Sequence, residues 1–249
     1  MSNKLGWIPD IPDHRDFVYA AAPKAYPSMV NLNSQCPPVY DQRTLSSCVG
    51  NGVSMVCQFN AIRQKLKKSN IMPSRLFVYW NARAYEGTTN VDEGCQIRDA
   101  IKGVAKLGIP IASYWPYILK NVNVQPIPSA YKEGANHKAI QYARLENTNL
   151  NILKGCLAEG FPFVFGAAIY QSFMTPAVAE SGIVPMPGKE SMLGGHAMCC
   201  VGYSDSTQSF IVRNSWGTKW GDKGNCYIPY AYLTSGDLAA DFWTVRVVS

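Results

Sequence analysis

Gly194-Gly195-His196-Ala197-Met198-Cys199-Cys200-Val201-Gly202-Tyr203, then Ser204-Asp205-Ser206-Thr207-Gln208, then Ser209-Phe210-Ile211-Val212-Arg213-Asn214 is the stretch on which the reading of this chain turns. Two apolar runs of strand length flank a polar segment without a single apolar residue, the pattern of an antiparallel strand pair joined by a turn. Centring the turn near residue 206 makes paired positions sum to about 412, which sets Trp216 opposite His196 and Asn214 opposite Met198. His196 and Asn214 are then diagonal neighbours on one face, within side-chain reach. A slip of one residue would part them. In the expected register Asn214 accepts a bond from one imidazole nitrogen and leaves the other free for proton transfer, and Trp216 covers the pair from water. Taken alone, His196 reads as a core histidine bonded to a backbone carbonyl; its neighbour is what points to chemistry.

Outward from this pair the chain falls into two halves. Further strands are expected at 138–145, 162–170, 225–230 and 242–248, with one short helix around Leu150 to Glu159. Ahead of Pro126-Ile127-Pro128 the pattern is helical. Val49, Val53, Val56, Phe59, Ile62 and Leu66 recur every three or four residues and predict one apolar stripe on a helix of about five turns opening at Cys48. Ser74 is placed to cap a helix over 74–85, and Gly108 with Pro110 stops another over 96–107. Helices first and strands later predict an α+β protein of two lobes. The division is an N-terminal arm (1–29), a helical lobe (30–130) and a β-rich lobe (131–249), with a ligand cleft between the lobes.

The 249 residues, 47% hydrophobic and 16% charged, are long enough to bury a core and too apolar for a disordered polymer. The longest dense apolar stretch, Phe161 to Tyr170, falls well short of the about 20 residues a bilayer requires, so no membrane is expected. The formal charge is +6, but its densest cluster, Arg63, Lys65, Lys67 and Lys68, reads as the solvated end of a helix, and no nucleic acid is expected as a partner. Eight cysteines without the density of a small secreted scaffold, and no visible secretory signal, favour a reduced, intracellular chain, with secretion left open.

A proton-transferring histidine needs something to activate. His14 and His137 sit in polar segments and are expected to face solvent. Cys48 lies where Gln42-Arg43-Thr44-Leu45-Ser46-Ser47 enters the long helix. The helix N-terminus should lower the thiol pKa, and an adjacent imidazolium should lower it further, giving a thiolate at neutral pH. With no partner histidine, Cys48 would be a buried filler behind N-cap serines. Cys57, Cys156, Cys199, Cys200 and Cys226 read as structural. His196 with Cys199 and Cys200 lacks a zinc-ligand spacing, so no metal is expected.

Gln42 through Cys48, then Gly195-His196-Ala197, then Asn214-Ser215-Trp216-Gly217-Thr218-Lys219-Trp220-Gly221 resemble the papain-like cysteine peptidases, with the blocks in the family's order over roughly residues 30–249. The Cys48-to-His196 separation falls inside the ~130–150 residues typical of that family. The resemblance implies a helical lobe against an antiparallel β-barrel-like lobe, a cleft between them, a peptide or protein substrate and no cofactor. By carry-over, Cys48 is the nucleophile, His196 the general base and acid, Asn214 the residue that orients the ring, and Gln42 an oxyanion donor beside the Cys48 backbone N–H.

The departures from the family pattern concern the subsites. Leu45 stands where the family has a disulfide cysteine and Cys95 where its partner would be, so that bridge is not expected. Cys95-Gln96-Ile97-Arg98 replaces a Cys-x-Gly-Gly block, so the substrate-binding wall is rebuilt around Ile97 and an overhanging Arg98, with Ser47 and Trp216 beside it. Gly166, Gly194 and Gly195 suggest an open S2 region. In place of a long inhibitory propeptide there is only the short arm, whose rigid prolines and Trp7 suggest that Trp7 to Asp16 folds back across the cleft; simple surface packing is the other reading. A silent peptide-binding relative, and a thiol amidase, exopeptidase or acyl transferase using the same residues, are the alternatives to an endopeptidase.

Overall fold

The computed structural model describes residues 4–21 and 25–249; residues 1–3 and 22–24 of the expected arm lie outside the described residues. In chain order the elements are β1 (Met29–Asn31), α1 (Cys48–Arg63), α2 (Arg75–Glu86), α3 (Ile97–Leu107), α4 (Pro128–Gly134), β2 (Ala139–Leu145), α5 (Leu150–Ala158), β3 (Phe163–Tyr170), α6 (Pro176–Ser181), β4 (Met192–Ser204), β5 (Ser209–Arg213), β6 (Asn225–Pro229), α7 (Tyr230–Leu233) and β7 (Ala239–Val248).

The long helix opens at Cys48 as its sequence predicts, but it carries more than one apolar stripe: every residue from Cys48 to Asn60 is buried. The reason is its place, packed against α2 and α3 on one side and against β4 and β7 on the other. Gly52 belongs to this contact, since a Cβ there would come within 2.9 Å of Val164 on β3. The helix ends at Arg63, before Leu66, because Lys65 takes a left-handed conformation (φ 55°). Ser74 caps α2 by accepting a bond from the Phe77 N–H, as expected. Helices α4 and α6 were not foreseen; each begins with a proline in its first turn, where the missing N–H costs nothing.

The strands form one antiparallel sheet in the order β2-β7-β3-β4-β5-β6, with β1 added against β4. It is open, with β2 and β6 at its ends, where the resemblance implied a barrel-like closure. Arm residues Phe17 to Tyr19 cover the β2 edge through backbone bonds to Arg144, of 2.7 and 2.8 Å. The β4–β5 pairing has the expected register where it matters: Cys199 faces Arg213 and Cys200 faces Val212. A bulge between Cys200 and Gly202 shifts the outer half by one residue. Among the described residues no helix is long and apolar enough to cross a membrane. All eight cysteines are free, Cys95 included.

Candidate active site

The N-terminus of α1 meets the middle of β4. The Cys48 sulfur faces the backbone N–H groups of Val49, Ala197 and Gly6, so the helix start, the residue after His196 and the arm converge on one atom. His196 Nε2 lies 2.8 Å from Asn214 Oδ1, which also accepts the Ser215 N–H at 2.7 Å. An oxygen that only accepts requires the ring proton on Nε2. Nδ1 is buried and without a hydrogen-bond partner, its lone pair uncommitted. The Trp216 ring covers the imidazole, with centroids 4.7 Å apart and planes at 31°. Trp216 is itself braced edge-on by Phe173 and Trp220.

Gln42 is tied to the Asn214 segment: its N–H donates to the Ser215 carbonyl at 2.8 Å and its Oε1 accepts from Ser215 Oγ at 2.7 Å. That pairing turns Nε2 outward, where it donates to the Leu45 carbonyl and, at 3.0 Å, to the carbonyl of Lys4.

The arm fills the cleft. Gly6 and Trp7 both donate to the Gly195 carbonyl at 2.9 Å; Cys95 donates to Gly6 and Ile8 donates to Cys95, forming a parallel bridge around Trp7. The Trp7 indole lies against Gly166 and Gly195, where a Cβ would come within 1.9 and 2.4 Å of Trp7 atoms. Its N–H donates to Asp241 Oδ2 at 3.0 Å, and the Asp10 N–H donates to the same oxygen at 2.7 Å. Asp10 in turn accepts from the Arg98 N–H and from the Trp243 indole, both at 3.0 Å. Asp16 pairs with the Arg98 guanidinium and, at 3.3 Å, with Arg144, while Lys4 Nζ lies 3.2 Å from Asp92.

Under this cover the electrostatics differ from those expected of a thiolate. Burial pushes the Cys48 thiol up to about 12, against the opposing pull of the backbone N–H groups around it. Burial pushes His196 down to about 4, with the Asn214 bond only partly offsetting it. With the arm seated, burial thus works against the expected ion pair: it disfavours the charged form of the thiol more than the surrounding N–H groups favour it, and that of the ring more than the Asn214 bond favours it. Asp10 is raised to about 6 by burial first and by Asp241 second, and Asp241 is raised, chiefly by burial.

Several expected subsite residues lie elsewhere. Ser47 is fully buried behind the cleft, 2.5 Å from the Tyr117 hydroxyl and bonded by Asn51, so it does not line the groove. Ile97 is a core residue of the first turn of α3. Arg98 does not overhang an empty subsite; it grips the arm at Ile11 and Asp16. Gly166 and Gly195 line the Trp7 pocket, and Gly194 faces Leu5. His14 is exposed, whereas His137 is half-buried and 3.2 Å from Glu133. Asp10, Asp92 and Asp241 were missed; a lone acid inside Ala239-Ala240-Asp241-Phe242-Trp243 was the available signal for the last.

The family model of papain family cysteine proteases matches residues 34–237. The chain is 35% identical to an uncharacterized peptidase C1-like protein of Acanthamoeba polyphaga mimivirus, over all of this chain and 88% of that one. The crystal structure of xylellain, a cysteine protease from Xylella fastidiosa, is similar with a TM-score of 0.91 and 37% identity, covering 100% of this chain and 99% of that one. A digestive procathepsin L 3 of Tenebrio molitor larval midgut shares the fold at a TM-score of 0.75 and 17% identity, covering 93% of this chain and 74% of that one.

Proposed function

Because the chain belongs to the papain family of cysteine proteases and is a peptide-bond hydrolase of that family, we propose that Cys48, His196, Asn214 and Gln42 carry out its reaction and that residues 4–19 hold it at rest. The two lobes that meet at the cleft are residues 30–130 and 131–249.

With the arm withdrawn, water re-enters the cleft and the burial penalties on thiol and ring fall. The Cys48 proton then moves to His196 Nδ1, and the helix N-terminus favours the resulting thiolate. The sulfur adds to the substrate carbonyl carbon, and the oxyanion is met by the Cys48 N–H and Gln42 Nε2. As the C–N bond breaks, the imidazolium gives its proton to the leaving amine, and a thioester remains. Water, deprotonated by His196, attacks the thioester and releases the acid and the thiolate. Asn214 keeps Nε2 engaged, so that Nδ1 does the proton transfer throughout.

The observation that carries this reading is the bond from Gln42 Nε2 to the Lys4 carbonyl. A peptide carbonyl of the arm thus takes up the donor that this reading assigns to the substrate oxyanion, and Gly6, two residues on, turns its N–H to the Cys48 sulfur. The arm runs on past the nucleophile, from Lys4 at Gln42 through Gly6 at Cys48 to Trp7 at Gly166 and Gly195 and Asp10 at Arg98, which favours an endopeptidase over an exopeptidase. The test is turnover of a fluorogenic peptide amide. Cys48→Ala should abolish it while leaving the arm docked and the protein folded; retained turnover would refute the assignment.

A further inference from the structure

Asp241 has no place in the chemistry just described, yet it occupies a costly position. It is 3% exposed, and its backbone is left-handed (φ 58°), a conformation uncommon for any residue other than glycine. It lies at an irregularity of β7: Gly166 pairs with Ala240 and Val164 with Trp243, a shift that places an extra residue in β7. Such a bulge re-aims a side chain that regular alternation would point elsewhere. Here it turns a carboxylate to the floor of the pocket whose walls are Gly166 and Gly195.

That pocket is shaped for an indole. The two glycines leave a slot that any Cβ would close, and Asp241 Oδ2 stands where the ring N–H of Trp7 ends. When the arm withdraws, Trp7 and Asp10 leave together, and Asp241 loses both of its donors on that oxygen. Arg144, 3.3 Å from Oδ1, stays behind with it. The carboxylate thus keeps a cationic neighbour that disfavours a second cation in the slot, while the vacated oxygen still calls for a neutral donor. Phenylalanine or leucine would leave that oxygen buried without a partner, a penalty larger than the mean value of a hydrogen bond.

Resting on the reading of Cys48 and the arm given above, we propose that Asp241 determines specificity: the vacated pocket selects tryptophan in substrate peptides, through the indole N–H. The arm holds the cleft with the side chain that the cleft is built to recognise.

The experiment uses the full chain carrying Trp7→Ala, so that the pocket is free, and fluorogenic peptides that differ at one position in turn among tryptophan, N1-methyltryptophan, phenylalanine and arginine. At a single position tryptophan should exceed both phenylalanine and N1-methyltryptophan in kcat/KM by ~10-fold or more, the range of a hydrogen bond to a charged group. Adding Asp241→Ala should reduce that ratio to near unity, and Asp241→Asn, which keeps an acceptor oxygen, should restore part of it. The methylated substrate needs no change in the protein, so a folding defect in the Asp241 variants leaves the test intact. Equal rates for tryptophan and N1-methyltryptophan at every position, or a preference for arginine, would overturn the proposal while leaving the peptidase reading in place. Absence of all turnover and of all Cys48 labelling in Trp7→Ala would overturn the underlying reading and this inference with it.

Discussion

Replacing Trp7 by alanine should convert the resting chain into an active one. The indole is 8% exposed, packed on two glycines and bonded to Asp241. A buried tryptophan covers ~150–250 Å². At about 25 cal/mol per Å² its removal from the pocket costs about 4–6 kcal/mol, and alanine keeps a small part of that. A loss of about 3–5 kcal/mol, the usual range for truncating a buried tryptophan, shifts the docking equilibrium by roughly 10²–10³-fold or more. The initial rate on a peptidyl coumarin amide should rise toward that factor, up to the ceiling set by a fully open arm. Trp7→Phe keeps most of the area and loses the bond to Asp241, so it should fall between the two, about tenfold above wild type. Equal rates for wild type and Trp7→Ala would mean that Trp7 does not hold the arm, and the argument from its pocket would fail.

Raising the pH should loosen the arm. Free in solution, Asp10 titrates near 3.9, and docked it titrates at about 6, because burial and Asp241 disfavour its charge. A docked value above the free one means that docking takes up a proton. The contribution is complete below about pH 4 and is lost as the pH rises through 6, a change on the order of 3 kcal/mol. Arg98, Arg144 and Asp16 face the same cluster. Quenching of tryptophan fluorescence by acrylamide, followed from pH 4 to 8 in Cys48→Ala, should increase with pH in wild-type arm and lose that dependence in Asp10→Asn; an arm that tightens with rising pH would contradict the sign. Gln42→Ala should lower kcat by on the order of 10²-fold in a Trp7→Ala background, by analogy with loss of one oxyanion donor elsewhere, and unchanged kcat would remove Gln42 from that role. Asn214→Ala should be milder and should broaden the pH–rate profile, since the ring loses its fixed tautomer; a loss as deep as that of Cys48→Ala would argue for a structural collapse instead.

The strands and the main helices were legible because each repeats a period over its whole length. The His196–Asn214 pair was legible for a narrower reason: a short polar turn brings the two strands together, and the bulge between Cys200 and Gly202, which lies between the turn and the pair, brings the pairing at Cys200 and Cys199 into the expected register. Trp7 was legible as an anchor because an aromatic residue among prolines in a polar arm has little other use. The state of Cys48 was not legible. Local signals, a helix start and a nearby histidine, argue for a thiolate, and the opposing effect is burial, which raises the thiol even though the N–H of Gly6, more than forty positions away in the chain, favours the charged form. Asp10 and Asp241 escaped for the same reason, being joined only through the folded arm. Ser47 was misplaced by a single helical step, since a residue next to the nucleophile can as easily face Tyr117 as the cleft. Helix α4 was hidden because Pro126-Ile127-Pro128 reads as a boundary, although proline also begins helices, as Pro128 does in α4 and Pro176 in α6.

The most direct measurement is mass spectrometry of the full chain and of Trp7→Ala after treatment with a thiol-directed epoxide near neutral pH. Eight free cysteines compete for the reagent. One adduct per chain, located on Cys48, forming far faster in Trp7→Ala than in wild type and missing in Cys48→Ala, is the predicted result. Adducts spread over other cysteines, or equal labelling of Cys48 with and without Trp7, would contradict a buried nucleophile held at rest by its own N-terminal arm.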